Sequence, residues 1–336
     1  DISANEITLM KNEKDNPNSI SNNSVHKVME DNMGNLWFAT SLGVNIYSPP
    51  AFPFKHFTHI PGIANSPEGY VVTAVAEDEK SNLWIGYEKD GLDYFNRKSG
   101  VFQHYLRDKN SNNSISSNNV SGLYYDDRKL LWIGLWSGIG FNILDTKSNE
   151  FFKYTFDSTT YVREWYNGFI EDNIGNFYIG FWGANGLTGF DVDSRKFLRN
   201  YKLNFERVYC SRLITKMVIG DDGSIWFGTT DCGIHRYFPE SDSGVSYFSD
   251  VDNPRGLSSN QIADITIDNN GVIWFINDKL QRYEPENDSF ISYGYNDGLT
   301  TSELASVVSD DVGGIWVGSR TDGLYEFHQD NLKFTH

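Results

Sequence analysis

The sequence is poor in cysteine, in basic residues and in long apolar runs. Its two cysteines, Cys210 and Cys232, are either two unrelated small apolar residues or the partners of one disulfide, which would indicate an oxidising compartment. Lys and Arg total 28 against 45 Asp and Glu, so the formal net charge is −17, and nucleic acids and anionic membrane surfaces are poor partners. No apolar run approaches the roughly 18–20 residues of a membrane span. No signal peptide is visible at Asp1, so we expect any export signal or anchor to lie outside this chain.

The composition indicates a folded protein made of short strands. Hydrophobic residues make up 39% and aromatic residues 15% of the chain, which excludes a disordered low-complexity protein. The 30 glycines and 9 prolines are typical of many tight turns between short strands. No segment holds a helical apolar period of useful length, so a helical solenoid is not expected.

One aromatic position recurs seven times, at spacings of 42 to 48 residues. Its members are Trp37, Trp84, Trp132, Tyr178, Trp226, Trp274 and Trp316. An aspartate stands six residues upstream in every copy but one, where Gly220 replaces it, and a glycine stands three residues upstream in five copies. A small residue stands two positions downstream except at Ile276. Repeats of this length with one strand–turn–strand unit each are typical of a β-propeller.

The repeat unit predicts four strands. Val25–Glu30 is a β-rich run, the Asp-x-x-Gly segment forms a hairpin turn, and the tryptophan strand follows and packs between blades. A third strand begins at a Gly-apolar pair, and a fourth, outer strand follows, as at Phe102–Tyr105, Phe151–Tyr154 and Phe290–Tyr293. We therefore predict an all-β fold, a single seven-bladed propeller of four-stranded antiparallel blades over residues 1–336.

Two segments compete to complete the seventh blade. Ile7–Met10 matches Phe102–Tyr105 in its distance from the next strand, and Leu332–Thr335 also resembles an outer strand. We predict that the N-terminal strand Ile7–Met10 closes the ring and removes the open edge. The surplus strand leads us to expect a protein that continues past His336.

Two segments carry a family resemblance. The segment from Glu30 to Gly43, EDNMGNLWFATSLG, and the segment from Asp310 to Leu324, DDVGGIWVGSRTDGL, resemble the two-component regulator propeller repeat. The loop SISSNNV at residues 114–120 is similar to that family as well, and the resemblance covers essentially the whole chain.

The resemblance implies one propeller from the extracytoplasmic sensor region of a bacterial hybrid two-component histidine kinase, a part of an inner-membrane protein that lies in the periplasm. A neighbouring propeller and a β-sandwich of the same full-length chain would be its partners, and a homodimer is open. The family's ligands are commonly oligosaccharides from polysaccharide breakdown. No kinase motif is present here, so this segment would be a non-enzymatic fragment without a cofactor, contacting neither nucleic acid nor membrane. Streptogramin-lyase-like propellers are weaker relatives.

Residues that the turns do not require are concentrated on one face of blades three and four. Three tryptophans outside the repeated position would form a stacking platform for sugar rings, and neighbouring polar side chains would hold hydroxyl groups. The candidate ligand-binding residues are Trp136, Trp165, Trp182, Tyr166, Arg163, Glu164, Tyr87 and Asn167. The alternative is that Trp136 or Trp182 fills space between loops or meets a partner domain.

Catalysis has little support in the sequence. No Ser/His/Asp or Cys/His arrangement stands out among the seven histidines, and no metal site is expected. A lyase would need His26 with Glu164 or Glu303 near a divalent metal on the loop face. Cys210 and Cys232 fall on that same face of blade five, so a disulfide between them is geometrically plausible. Three classes stay open: an oligosaccharide sensor, a structural or dimerising propeller, and a metal-assisted lyase.

Overall fold

The computed structural model describes residues 11–13, 19–31, 34–48, 52–136, 140–154, 165–172, 175–182, 186–201, 213–250 and 252–335. For residues 48, 52–55, 165–167, 181–182 and 199–201 it describes the backbone alone. A short 3-10 helix at Tyr295–Asp297 accompanies 28 strands. No helix in these ranges has the length and apolar character to cross a membrane.

The strands form seven four-stranded antiparallel sheets, and each sheet consists of four strands that are consecutive in the chain. The bounds are, for blade one, β1 Val25–Glu30, β2 Leu36–Thr40, β3 Gly43–Ser48 and β4 Phe52–Phe57; for blade two, β5 Val72–Glu77, β6 Leu83–Tyr87, β7 Leu92–Asn96 and β8 Val101–Tyr105; for blade three, β9 Val120–Tyr125, β10 Leu130–Leu135, β11 Phe141–Asp145 and β12 Glu150–Tyr154; for blade four, β13 Trp165–Glu171, β14 Phe177–Trp182, β15 Leu187–Asp191 and β16 Lys196–Tyr201; for blade five, β17 Ile214–Ile219, β18 Ile225–Thr229, β19 Ile234–Phe238 and β20 Ser243–Tyr247; for blade six, β21 Asp264–Ile267, β22 Ile273–Ile276, β23 Leu280–Glu284 and β24 Ser289–Tyr293; for blade seven, β25 Leu304–Ser309, β26 Ile315–Ser319, β27 Leu324–His328 and β28 Lys333–Thr335. The predicted seven-bladed all-β propeller is confirmed.

The core lies between the blades. Seven apolar clusters each join two neighbouring blades, and the last of them joins blade seven to blade one. The repeated aromatics fill these clusters: Trp132 is fully buried, and its ring stacks on Phe177 of the next blade with 3.9 Å between centroids. The prediction that the repeated tryptophan packs between blades is therefore confirmed.

The repeated aspartate holds both its turn and its tryptophan. In blade six one carboxylate oxygen of Asp268 accepts the backbone N–H groups of Asn270 and Val272 at 2.9 and 3.0 Å, as the turn chemistry predicts. The other oxygen accepts the indole N–H of Trp274 at 2.9 Å. The same indole–carboxylate bond forms in three further blades, from Trp37, Trp132 and Trp316. In blade four the hydroxyl of Tyr178 donates to Asp172 at 3.2 Å, so tyrosine replaces tryptophan with its polar contact kept.

Blade two departs from this arrangement. The hydroxyl of Tyr94 donates to Asp78 at 2.9 Å and takes the place of the indole. Among the described residues, the buried Nε1 of Trp84 has no hydrogen-bond acceptor. The two blades therefore offer a matched pair of buried tryptophans, one with its polar bond and one without.

The outer strand of the seventh blade comes from the C-terminal side of the chain. β28 pairs antiparallel with β27, and Phe334, which is 6% exposed, packs on Phe327 with 4.9 Å between ring centroids. The prediction that Ile7–Met10 completes this blade is wrong, and Ile7–Met10 itself lies outside the described residues. β27 and β28 are joined by a four-residue turn, so the C-terminal segment reaches the open edge of β27 directly.

Side-chain packing joins blade seven to blade one. Trp316 is 7% exposed and lies in one cluster with Val25 of β1, and its ring contacts Tyr47 at 6.2 Å between centroids. Glu30 of β1 accepts the backbone N–H of Asp311 at 2.7 Å. Within the part of the chain that the structure describes, the ring is thus closed by contacts between blades and not by a blade shared between the two ends.

Candidate functional site

Two sets of loops meet on one face of the ring. The first residue of the loop between the second and third strands donates its backbone N–H to the residue before the first strand, as in Glu88 to Val71 at 3.0 Å. The glycine that ends this loop donates to the incoming segment of the next blade, as in Gly91 to Asn118 at 2.8 Å. A side chain at Gly233 would place its Cβ 2.1 Å from the carbonyl oxygen of Tyr247, and its φ of +79° favours glycine. Both loop sets therefore lie on the same face of the ring.

The residues that surround this face stand four positions after the repeated aromatic, and we call them the rim residues. The position before them is buried wherever its side chain is described, so the chain emerges from the core at the rim. The rim residues are Ser41, Glu88, Trp136, Trp182, Thr230, Asp278 and Arg320. Five of the seven are polar or charged, and the other two are tryptophans in adjacent blades. The sequence analysis identified Trp136 and Trp182 among these residues, but it did not see that one constant offset defines the whole rim.

Trp136 is half-buried at the rim of blade three. Its backbone N–H donates to Asn119 at 3.0 Å, which is the contact that rim residues make in other blades. Its indole N–H donates to the carbonyl oxygen of Val120 at 2.9 Å. This bond fixes the ring against the start of β9, and the ring reaches the surface without an unsatisfied donor.

Trp165 and Trp182 lie directly opposite each other in blade four. Their Cα atoms are partners in the antiparallel pair of β13 and β14, and Tyr166 is the partner of Phe181. A register shift between Tyr166 and Gly168 places Asn167 in a bulge. The structure therefore brings two candidate tryptophans to the same end of two adjacent strands, next to the blade of Trp136. Arg163 and Glu164, two further candidates, lie outside the described residues.

Tyr87 does not belong to this surface. It is fully buried, and its hydroxyl donates to Asp93 at 2.7 Å, where burial and the neighbouring carboxylate hold the pKa of Tyr87 well above its usual range. Asp93 also bonds the Nδ1 atom of His104 at 2.7 Å. The expectation that Tyr87 contacts a ligand is wrong, because Tyr87 is one residue before the rim position and its side chain points to the interior. Its neighbour Glu88 occupies the rim instead.

His26 lies on the same face of the ring and interacts with the rim residues Ser41 and Arg320. Its Nε2 atom bonds the hydroxyl of Ser41 at 2.7 Å, and its pKa is lowered first by burial and then by the charge of Arg320. Among the described residues, no three His, Cys, Asp or Glu side chains come together as a metal site would require. Cys232 is fully buried in the loop of blade five and is disulfide-bonded. Cys210 lies outside the described residues, so its pairing with Cys232 stays a prediction.

A second concavity lies away from the rim. It is a groove of about 490 Å³ beside the turns of blades two and three, lined among others by Trp84, Tyr94, Tyr105 and Tyr125. Glu79, an acidic residue of its wall, accepts hydrogen bonds from Lys129 at 2.6 Å and from Tyr125 at 2.5 Å. These two bonds hold the pKa of the Glu79 carboxyl at about 2. No pattern in the sequence indicates this groove, since its residues all occupy ordinary turn and strand positions.

Comparison with known proteins agrees with the repeat and the fold. Residues 19–41 match the family model of the two-component regulator propeller, so the resemblance expected from the sequence is confirmed there. No curated protein sequence matches the chain.

Among solved structures, the extracellular domain of a hybrid two-component system from B. thetaiotaomicron superposes with a TM-score of 0.74 at 20% identity, over 90% of this chain and 40% of that chain. The extracellular domain of a one-component system from the same organism gives 0.62 at 19% identity, over 94% and 48%. The chain thus spans less than half the length of both. Virginiamycin B lyase from Staphylococcus aureus in complex with quinupristin gives 0.72 at 13% identity, over 96% and 99%. At these identities the superpositions show a shared fold.

Proposed function

We propose that this chain, which carries the two-component regulator propeller repeat, is one propeller of the extracytoplasmic sensor region of a hybrid two-component system. The repeat match at residues 19–41 and the fold shared with an extracellular domain of such a system support this. Because the chain spans 40% of that domain, we place a neighbouring propeller and a β-sandwich in the same full-length protein, followed by a membrane helix and a histidine kinase. The propeller would be periplasmic, and it would bind a ligand without transforming it.

The ligand that the rim fits best is an oligosaccharide. The observation that carries this is the cross-strand pairing of Trp165 with Trp182, next to the half-buried Trp136 of the adjacent blade. The apolar C–H faces of a pyranose pack on indole rings, and an exposed aromatic patch with a polar border is typical of a binding site.

The rest of the rim supplies the polar border. Glu88 and Arg320 carry opposite charges, and Asp278 is exposed on the far side. Residues 163–167, which precede and begin β13, bring an arginine, a glutamate and an asparagine to the incoming segment of blade four. Carboxylate, amide and guanidinium groups together can hydrogen-bond sugar hydroxyls as donors and acceptors. Binding would signal the presence of a polysaccharide and so regulate the genes for its use.

Titration calorimetry of the protein against a panel of oligosaccharides tests the proposal. We expect binding of at least one glycan and its loss in Trp165→Ala. Tyr295→Ala is the matched control, because Tyr295 is 65% exposed and lies in the loop after blade six, away from the tryptophans. A panel with no binder would favour a structural propeller. Unchanged affinity in Trp165→Ala would refute the site, and metal-dependent turnover of a substrate would favour the lyase alternative.

A further inference from the structure

The first strands of all seven blades enclose a central channel, and its charges do not balance. The channel has a volume of about 170 Å³. Five small residues, Ala74, Gly122, Gly168, Ala263 and Ala305, face it from five different blades and keep it open. The rest of the wall is largely polar, so the charged groups beside the open space decide which ion it favours.

Two lysines and one aspartate supply those charges. The Nζ atom of Lys216 on β17 lies 3.1 Å from one carboxylate oxygen of Asp264 on β21. The second oxygen of Asp264 accepts the backbone N–H of Val307 at 2.9 Å. Asp264 is the one acidic residue among the described residues that line the channel, and Lys216 already occupies it.

Lys27 on β1 is the second cation of the channel. The charged groups that act on it are Lys216, which repels it, and Asp264, which attracts it. Burial and the charge of Lys216 lower the pKa of Lys27 to about 8, and the two lysines keep the pKa of Asp264 below its usual value in spite of its burial. His26 also borders the channel, and its lowered pKa leaves it neutral at pH 7.

At pH 7 the channel therefore carries two ammonium groups and one carboxylate. Among the described residues that line the channel, one positive charge therefore has no counter-charge, because Lys216 already pairs with Asp264. The formal net charge of the protein is −17, so a lysine at the surface would have many carboxylates as partners. A buried charge without a partner costs free energy that a bound counter-ion removes.

We propose that the central channel binds one small monovalent anion, a halide ion or a short carboxylate, beside Lys27 and Lys216. The volume of about 170 Å³ has room for such an ion together with several water molecules. One negative charge would restore neutrality, whereas a divalent anion would leave an excess of the opposite sign. This site is separate from the rim tryptophans and does not depend on the sugar site.

Thermal unfolding of the protein at pH 7, with chloride or acetate titrated at constant ionic strength, tests the inference. The wild type should gain stability in a saturable way as the anion concentration passes its dissociation constant. Lys27→Met should lose the saturable part, and without anion it should be at least as stable as the wild type, because the unpaired charge is gone. Lys98→Met, a change of an exposed lysine in the turn of blade two, should respond like the wild type.

An equal response of Lys27→Met and the wild type would overturn the inference. If Lys27→Met does not fold, a crystal of the wild type soaked in bromide decides the question. An anomalous peak beside Lys27 and Lys216 supports the anion site, and a channel without a peak contradicts it.

Discussion

Removing the indole nitrogen from two equivalent tryptophans should cost very different amounts of stability. Trp274 and Trp84 occupy the same position of the repeat and are 0% and 3% exposed. Replacement by phenylalanine deletes the same atoms and leaves a similar cavity in both blades. The two sites differ in one bond, because Trp274 donates to Asp268 at 2.9 Å whereas the Nε1 of Trp84 has no acceptor among the described residues.

The expected difference follows from that bond. A hydrogen bond to a charged acceptor contributes about 1.5–3 kcal/mol, and Trp274→Phe leaves this oxygen of Asp268 with only the longer hydrogen bond from Gln329, at 3.4 Å. In Trp84→Phe the substitution removes a donor that was unsatisfied from the start, which offsets part of the cavity cost. We therefore expect Trp274→Phe to lower the free energy of unfolding by about 2 kcal/mol more than Trp84→Phe does.

Equilibrium unfolding in urea, followed by fluorescence and circular dichroism together, measures both variants. Trp274→Tyr adds a test of direction, because the hydroxyl of Tyr178 reaches its aspartate at 3.2 Å in blade four. We expect the tyrosine variant to recover part of the loss that phenylalanine causes. Equal costs for the two phenylalanine variants, or no recovery with tyrosine, would refute the view that the aspartate stabilises the blade through the indole.

Three further outcomes follow from single contacts. Burial raises the pKa of Glu30 to about 7, so the free energy of unfolding decreases as pH rises from 4.5 to 7 and Glu30 ionises. The melting temperature of Glu30→Gln should therefore be higher than that of the wild type at pH 8 and equal to it below pH 4.5. Burial lowers the pKa of His235 to about 3, so the free energy of unfolding decreases as pH falls from 6.5 towards 3. In His235→Phe the urea concentration at the midpoint of unfolding should depend less on pH over that range. The same pH dependence in the variant and the wild type would contradict this assignment. Reduction and alkylation should add the mass of two alkyl groups to the unfolded protein only after a reductant is supplied, if Cys210 and Cys232 are bonded.

The blades could be read from the sequence because each one repeats the same local chemistry. The turn aspartate, the tryptophan and the small residue after it stand at fixed offsets, and strands such as Val25–Glu30 were predicted to the residue. The indole–carboxylate bond was not foreseen, since the aspartate was explained by its turn alone. The indole stands six residues after the aspartate in the sequence. The pairing of β1 with β2, and of the matching strands in the other blades, brings the indole N–H within reach of the carboxylate.

Ring closure and the place of Tyr87 could not be read in the same way. An outer strand is short and weakly patterned, so Ile7–Met10 and Leu332–Thr335 looked alike in the sequence, although the second follows β27 after a turn of only four residues. Tyr87 and Glu88 differ by one position, and in a strand one position exchanges the buried side for the exposed side. A strict count from Trp84 would have separated them, because the rim stands four positions after the repeated aromatic in every blade.

A crystal structure of the protein with the oligosaccharide that binds it most tightly in calorimetry tests the central claim most directly. We predict a sugar ring over the paired strands of Trp165 and Trp182, within reach of Trp136 of the next blade. A sugar bound instead in the groove beside Trp84 and Tyr105 would contradict the claim that the tryptophans outside the repeat mark the recognition surface.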